Sequence, residues 1–193
     1  MNCLVIVAHP LKNSLCGHLA SEAITCLQER GYKVTVTNLY EAKFDAALST
    51  EERTSYYSAS YDAGGVSSEI SQLKAAEMLV LIFPTWWFGF PAVLKGWFDR
   101  VWAPGHAYDH ASDLGAIKPR LENLRETYVV TTLGSPWWVD YFVMWRPVYR
   151  TLRIALLGTC ARQSSFKMLS LYKSEKASPV RVERFVRKIK KLL

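Results

Sequence analysis

An unbroken apolar run, Cys3 to Ala8, opens the chain. Such runs fit a parallel strand buried on both faces, where no alternation with polar residues is needed. The polar stretch HPLKNS follows. Leu15, Leu19, Ala20, Ala23, Ile24 and Leu27 then recur at the spacing of one helix face, and Gly31 marks the end of that helix. Tyr32 to Leu39 alternates β-branched and polar residues and predicts a second strand. Strand, loop, helix and strand make a βαβ unit, whose crossover is expected to be right-handed.

Phe44 to Ser68 is rich in Ser, Tyr, Ala and Gly and reads as a loop with one or two short helices, long enough for a lid or a dimer contact. Ile70 to Ala76 predicts a helix and Met78 to Phe83 a third buried strand. The loop PTWWFGFP follows, then a helix over Ala92 to Trp102 with an aromatic face. Thr127 to Thr132 predicts a fourth strand ending in LGSP. Phe142 to Leu157 has the apolar density of a buried helix, kinked or started by Pro147. Thr159 to Phe166 predicts the fifth strand. Ser178 and Pro179 read as the cap and first residue of a closing helix, with Val182, Phe185, Val186, Ile189, Leu192 and Leu193 as its apolar stripe. Strands alternating with helices along the whole chain predict one α/β domain over residues 1–193. Its expected form is a flavodoxin-like three-layer sandwich on a five-stranded parallel sheet of order 2-1-3-4-5.

Composition narrows the function classes. Half of the 193 residues are hydrophobic and 21% are charged, so a packed core is expected rather than disorder. The net charge of +7 owes much to Arg181, Arg184, Arg187, Lys188, Lys190 and Lys191 in the closing helix. This reads as a solvated helix face. No RNA-binding motif or zinc spacing accompanies it, so no nucleic-acid partner is expected. Cys3, Cys16, Cys26 and Cys160 form no CxxC and no metal cluster with histidines; they read as buried free thiols of a reducing compartment. The start, MNCLVIVAHP, lacks a basic region and a small-residue cleavage site, and no apolar stretch reaches the ~18 residues of a membrane span. The expected location is the cytoplasm.

In an open parallel sheet, ligands sit beyond the carboxyl ends of the strands where the winding direction switches. Three loops therefore meet there: His9 to Cys16, Pro84 to Pro91, and Leu133 to Trp138. In the first, Asn13, Ser14, Leu15 and Cys16 open a helix, whose free N–H groups and dipole favour a phosphate. Ser14 adds a hydroxyl, and His9 a ring donor. The same residues also read as an ordinary serine cap beside a satisfied histidine. Neither GxGxxG nor GxxxxGK[ST] is present, so neither a Rossmann dinucleotide site nor a P-loop is supported. In the second loop, Thr85, Trp86, Trp87, Phe88 and Gly89 offer rings and main-chain N–H groups to a flat heteroaromatic ligand, with Gly89 expected to let a ring approach closely. Trp97, Phe98 and Trp102 are assigned to core or interface.

This second segment resembles the NAD(P)H:quinone oxidoreductase family. The resemblance rests on Pro84, Trp87, Phe88, Gly89, Pro91, Ala92, Leu94, Lys95, Gly96, Trp97, Asp99, Arg100 and Val101, which match PxxWFGxPAxLKGWxDRV in order, and on the strand and HP loop at the start. It runs to about Ser135.

The resemblance implies a flavin, FAD or FMN, with NAD(P)H as co-substrate. Its phosphate falls to His9, Asn13, Ser14, Leu15 and Cys16, and its ring to Pro84, Thr85, Trp86, Trp87, Phe88 and Gly89. Thr131, Thr132, Leu133 and Gly134 resemble the family's TTGG, which borders the pyrimidine side; Leu133 replaces a glycine. Tyr108 and His110, in a GxAY context, correspond to residues lining the substrate pocket across a homodimer interface, although Tyr108 also reads as an interface anchor. After Gly134 the pattern departs to SPWWVDYF. Trp137 and Trp138 are candidate pocket walls, and Tyr141 is the candidate proton donor. The expected activity is ping-pong hydride transfer from NAD(P)H through the flavin to a quinone-like acceptor. The alternatives are azo- or nitroreduction, a one-electron carrier, or an ancillary subunit of a potassium efflux transporter. Of a membrane-protein partner there is no positive indication.

Overall fold

The computed structural model describes residues 1–58, 60–111 and 117–193. Five parallel strands form one sheet: β1 (Asn2–Val7), β2 (Lys33–Asn38), β3 (Met78–Pro84), β4 (Glu126–Thr132) and β5 (Ser165–Leu171). Their order is 2-1-3-4-5, as the alternation of elements predicted. A separate antiparallel pair joins Tyr108–Asp109 to Lys118–Pro119.

The two faces of the sheet follow from the two-residue period of a strand. Cys3, Val5 and Val7 of β1, with Met78, Val80 and Ile82 of β3, pack against α1 (Leu15–Glu29) and the closing helix α7 (Pro179–Leu192). Leu4, Ile6, Leu79, Leu81 and Phe83 point the other way. They meet α3 (Ser67–Ala75) and α4 (Ala92–Val101), whose Trp97 and Phe98, with Trp102 just beyond, enter the core. Every residue of β3 is buried, which is why that strand carries no polar alternation.

The excursion between β2 and α3 is held by a buried ion pair. Glu52, in the short helix α2 (Thr50–Ser55), receives hydrogen bonds from Arg100 Nε at 2.9 Å and Nη2 at 2.7 Å. The side chain of Arg100 also reaches the Asp45 carbonyl.

Two predicted elements are corrected. Phe142 to Leu157 is not one buried helix. A wide turn over Val139–Val143 is followed by Trp145 and Arg146 at φ of 56° and 51°, then α5 (Pro147–Arg150), a second wide turn over Thr151–Leu156, and α6 (Leu157–Cys160). Proline disfavours helical conformation in the residue before it, and here that residue turns left-handed. The second wide turn lets Val148, Leu152 and Leu157 share one buried face, while Phe142, Val143, Trp145 and Ile154 stay exposed. The fifth strand begins at Ser165, not Thr159. It is an edge strand, half covered, so Lys167 and Ser170 interrupt the apolar run that marks an inner strand.

Candidate functional site

At the carboxyl ends of β1, β3 and β4 the three loops converge. A cavity of about 270 Å³ is lined by His9, Leu15 and Cys16, by Pro84, Thr85 and Trp86, and by Thr132 and Gly134. Direct contacts lock the loops together. The His9 and Trp86 rings lie 6.2 Å apart. Cys16 Sγ and Thr132 Oγ1 are 3.4 Å apart. The Thr85 N–H donates to the Thr132 carbonyl at 2.8 Å, and the Thr85 and Thr131 hydroxyls share a 2.7 Å bond.

The first loop is shaped by a close approach. Ser14 caps α1, its Oγ accepting from the Gly17 N–H at 3.0 Å. A Cβ on Gly17 would lie 2.3 Å from the Lys12 carbonyl oxygen, so only glycine lets the loop fold back so tightly. Among the described residues, the N–H groups of Leu15 and Cys16 have no protein partner. Free N–H groups at a helix start are anion donors. His9 Nδ1 lies 3.1 Å from the Leu11 N–H and 3.2 Å from the Leu11 carbonyl oxygen, which ties the ring to its own loop. Asn13 is exposed beside this loop. Burial raises the Cys16 thiol to about 11 against a hydroxyl contact from Thr132 that lowers it, so it is a neutral wall and not a nucleophile.

The second loop is a tight turn closed by the Gly89 N–H donating to the Trp86 carbonyl at 2.8 Å. Its central residues, Trp87 and Phe88, sit at φ of 51° and 56°, the signature of a type I′ turn. Strain is thus carried by two bulky residues and not relieved at Gly89, whose backbone is ordinary and whose added Cβ would meet Trp86 O at 3.6 Å. The turn aims the Trp87 ring outward, 99% exposed, beside a half-exposed Trp86. Among the described residues, the Trp87 and Phe88 N–H groups are without partners.

The third loop is tied down. Leu133 is buried; its N–H donates to the Leu171 carbonyl at 3.0 Å and its carbonyl accepts from Ser174 at 2.9 Å. Its N–H is therefore not available to a ligand. Ser174 and Glu175, which follow β5, also line the cavity, and Glu175 Oε1 lies 3.0 Å from where a Cβ on Gly134 would stand. Sequence reading missed Gly17, Ser174 and Glu175. A glycine in the first turn of a helix was the available signal for Gly17; nothing local marked the other two.

The remaining predicted residues lie elsewhere. Tyr108 and His110 join an aromatic cluster on the α2 excursion, where the Tyr108 hydroxyl donates to that of Tyr56 at 3.3 Å and the Tyr57 and His110 rings are 4.9 Å apart. Burial pushes the Tyr108 phenol well above its usual range, helped by that hydroxyl. Trp137 and Trp138 are exposed, with Trp137 edge-on to Tyr141 at 5.9 Å. Tyr141 faces a different cavity, along β5.

Sheet order, anion-ready helix start and aromatic strand-end loop define a flavodoxin-like protein. The chain belongs to the flavodoxin-like fold family, whose model matches residues 1–155. It is 32% identical over 148 residues to NAD(P)H dehydrogenase (quinone) 1 of Cavia porcellus, a match covering 68% of this chain and 53% of that protein. It is 30% identical over 186 residues to the ribosyldihydronicotinamide dehydrogenase (quinone) of Rattus norvegicus, covering 84% and 80%. The structure of an NAD(P)H:quinone oxidoreductase from Methanothermobacter marburgensis superposes with a TM-score of 0.85 at 26% identity, covering 99% and 94%. The chain spans about half the length of the curated relatives it matches first, 53% in each case. The family match continues past Ser135, where the motif resemblance stops.

Proposed function

We propose that this chain is an NAD(P)H:quinone oxidoreductase that holds a flavin across the three loops. The observation that carries the reading is the single cavity where a helix start with free N–H groups meets an aromatic strand-end turn. The residues suit the cofactor. Leu15 and Cys16 offer N–H groups to a phosphate, Trp86 offers a ring edge or face, and Trp87 and Phe88 offer N–H groups to ring heteroatoms. A bound flavin supplies the capacity to take a hydride from NAD(P)H and pass it to a quinone. The protein's part is placement and electrostatics: donors fixed by the helix and turn need no rearrangement when negative charge develops near them. Relatives named for quinone reduction support the same acceptor class.

A homodimer is part of the proposal. Trp87, Trp137, Phe142, Trp145 and Ile154 are exposed on this chain, and large exposed apolar side chains are the kind that a subunit interface covers. Sedimentation equilibrium should give twice the chain mass; a monomer at micromolar concentration would remove this part.

The activity is tested in one cuvette. Protein is loaded with FAD or FMN, freed of excess, and given NADPH and then menadione. Retained flavin absorbance that bleaches with NADPH and recovers with menadione supports the reading and identifies the flavin. Flavin that stays bound and is never reduced points to a regulatory subunit, and no retained flavin of either kind sinks the proposal.

A further inference from the structure

A larger cavity, of about 450 Å³, runs along the outer side of β5. Its floor is the run Met168 to Tyr172. One wall is α7, through Arg181, Arg184 and Lys188; the other is the segment before α5, through Tyr141 and Arg146. No carboxylate lines it, and none of these four cations forms an ion pair among the described residues. Arg146 is held against the rings of Tyr141 and Tyr149, at 4.5 and 3.9 Å, and its buried Nε has no hydrogen-bond partner among the described residues.

The floor is an open sheet edge. Among the described residues, β5 pairs with β4 alone. The Ser165 N–H donates to the Arg125 carbonyl, and the Leu171 carbonyl accepts from the Leu133 N–H. In a parallel ladder alternate residues turn their backbone groups to opposite sides. Ser165, Lys167, Leu169 and Leu171 therefore face β4, and Phe166, Met168 and Ser170 turn N–H and C=O to the open side. The next carbonyl, that of Tyr172, is taken by Arg181.

The cations match this edge in shape. Arg181, Arg184 and Lys188 stand at i, i+3 and i+7 on α7, one face of the helix, spanning about 10 Å, the length of about three extended residues. A compact anion would need converging donors; a row of cations beside unpaired strand amides fits a linear one. We propose that this groove takes an acidic extended segment of a partner protein, which adds as a sixth strand beside β5 and sets its carboxylates against Arg146, Arg181, Arg184 and Lys188. Main-chain bonds to the edge supply affinity and the cations supply choice of partner. The same cations repel the identical edge of a second copy, which keeps the edge from pairing with itself.

The proposal is independent of the reductase reading. The test is fluorescence anisotropy on the full chain with a labelled peptide of about eight residues alternating Glu and Val, a usual strand length. Saturable binding is expected, weakening as salt rises. Arg184→Glu with Lys188→Glu, both exposed on the helix, should weaken it at least about tenfold while leaving far-UV circular dichroism and flavin retention unchanged. Methylating alternate amides of the peptide, at unchanged charge, should abolish binding. Equal binding by the methylated peptide, by tripolyphosphate at matched charge or by a Lys–Val peptide would overturn the proposal, as would no saturable binding.

Discussion

Arg100→Ala removes the cation that holds the α2 excursion to α4. Glu52 and Arg100 are 3% and 6% exposed. The substitution deletes the guanidinium bonds to both Glu52 oxygens and to the Asp45 carbonyl. Glu52 then keeps its side-chain contact with the Ser49 N–H at 2.8 Å and no cation. Breaking a buried pair from one side costs about 3–5 kcal/mol, because a charge is left without compensation. For a chain of this size that corresponds to a fall in melting temperature of roughly 6–20 °C. Glu52→Met with Arg100→Met should recover more than half of the loss, since no buried charge remains. A single-variant loss below about 1 kcal/mol in urea melts would refute the reasoning.

Three further outcomes are expected. Gly17→Ala forces a Cβ onto the Lys12 carbonyl and displaces the helix start; flavin affinity measured by fluorescence quenching should fall about 10- to 100-fold, or about 1.4–2.8 kcal/mol, and an unchanged affinity would remove this helix start from the site. Trp87→Gly relieves a left-handed backbone position and should raise stability by about 0.5–1 kcal/mol in denaturant melts, whereas a loss would mean the exposed ring is packed in the protein as it exists in solution. Burial raises the Cys3 and Cys160 thiols to about 12 and Cys16 to about 11, from 9.0. Folding therefore favours the neutral thiol: stability should be full below pH 9 and decline as pH rises from 9 through about 11 for Cys16 and about 12 for Cys3 and Cys160, and these thiols should react with iodoacetamide at pH 8 only at the rate of unfolding. Rapid native-state alkylation, read by mass spectrometry, would contradict their burial.

The three loops were legible in the sequence because each follows an unbroken buried strand or its parallel neighbour, and strand order fixes which loops meet. Beyond the exposed Asn2, β1 and β3 bury both faces, so their residues report the same environment and the run is plain to read. β5 at the sheet edge and the Phe142 to Leu157 segment were misread for one reason: half-covered elements mix polar and apolar positions. Their register depends on what lies opposite, and Pro147 broke a helix that apolar density alone favoured.

The backbone of the second loop shows where local reading stops. Its residues announce rings and N–H groups, but that Trp87 and Phe88 take the left-handed positions in place of Gly89 depends on the anchoring of Thr85 to Thr132 and on where α4 begins. Likewise, Glu175 and Leu133 meet the site through β5, where the partner of Leu133 is Leu171, 38 residues away, and the pairing is decided only when the sheet is assembled. Periodicity, helix caps and the strand-end motif were determined by the sequence itself, since each is a short-range preference of the chain. The spent N–H of Leu133, the close fit at Gly17 and the unpaired basic edge of β5 were decided by tertiary structure, because they depend on which backbone and charge come within a few ångströms, and no local preference encodes that.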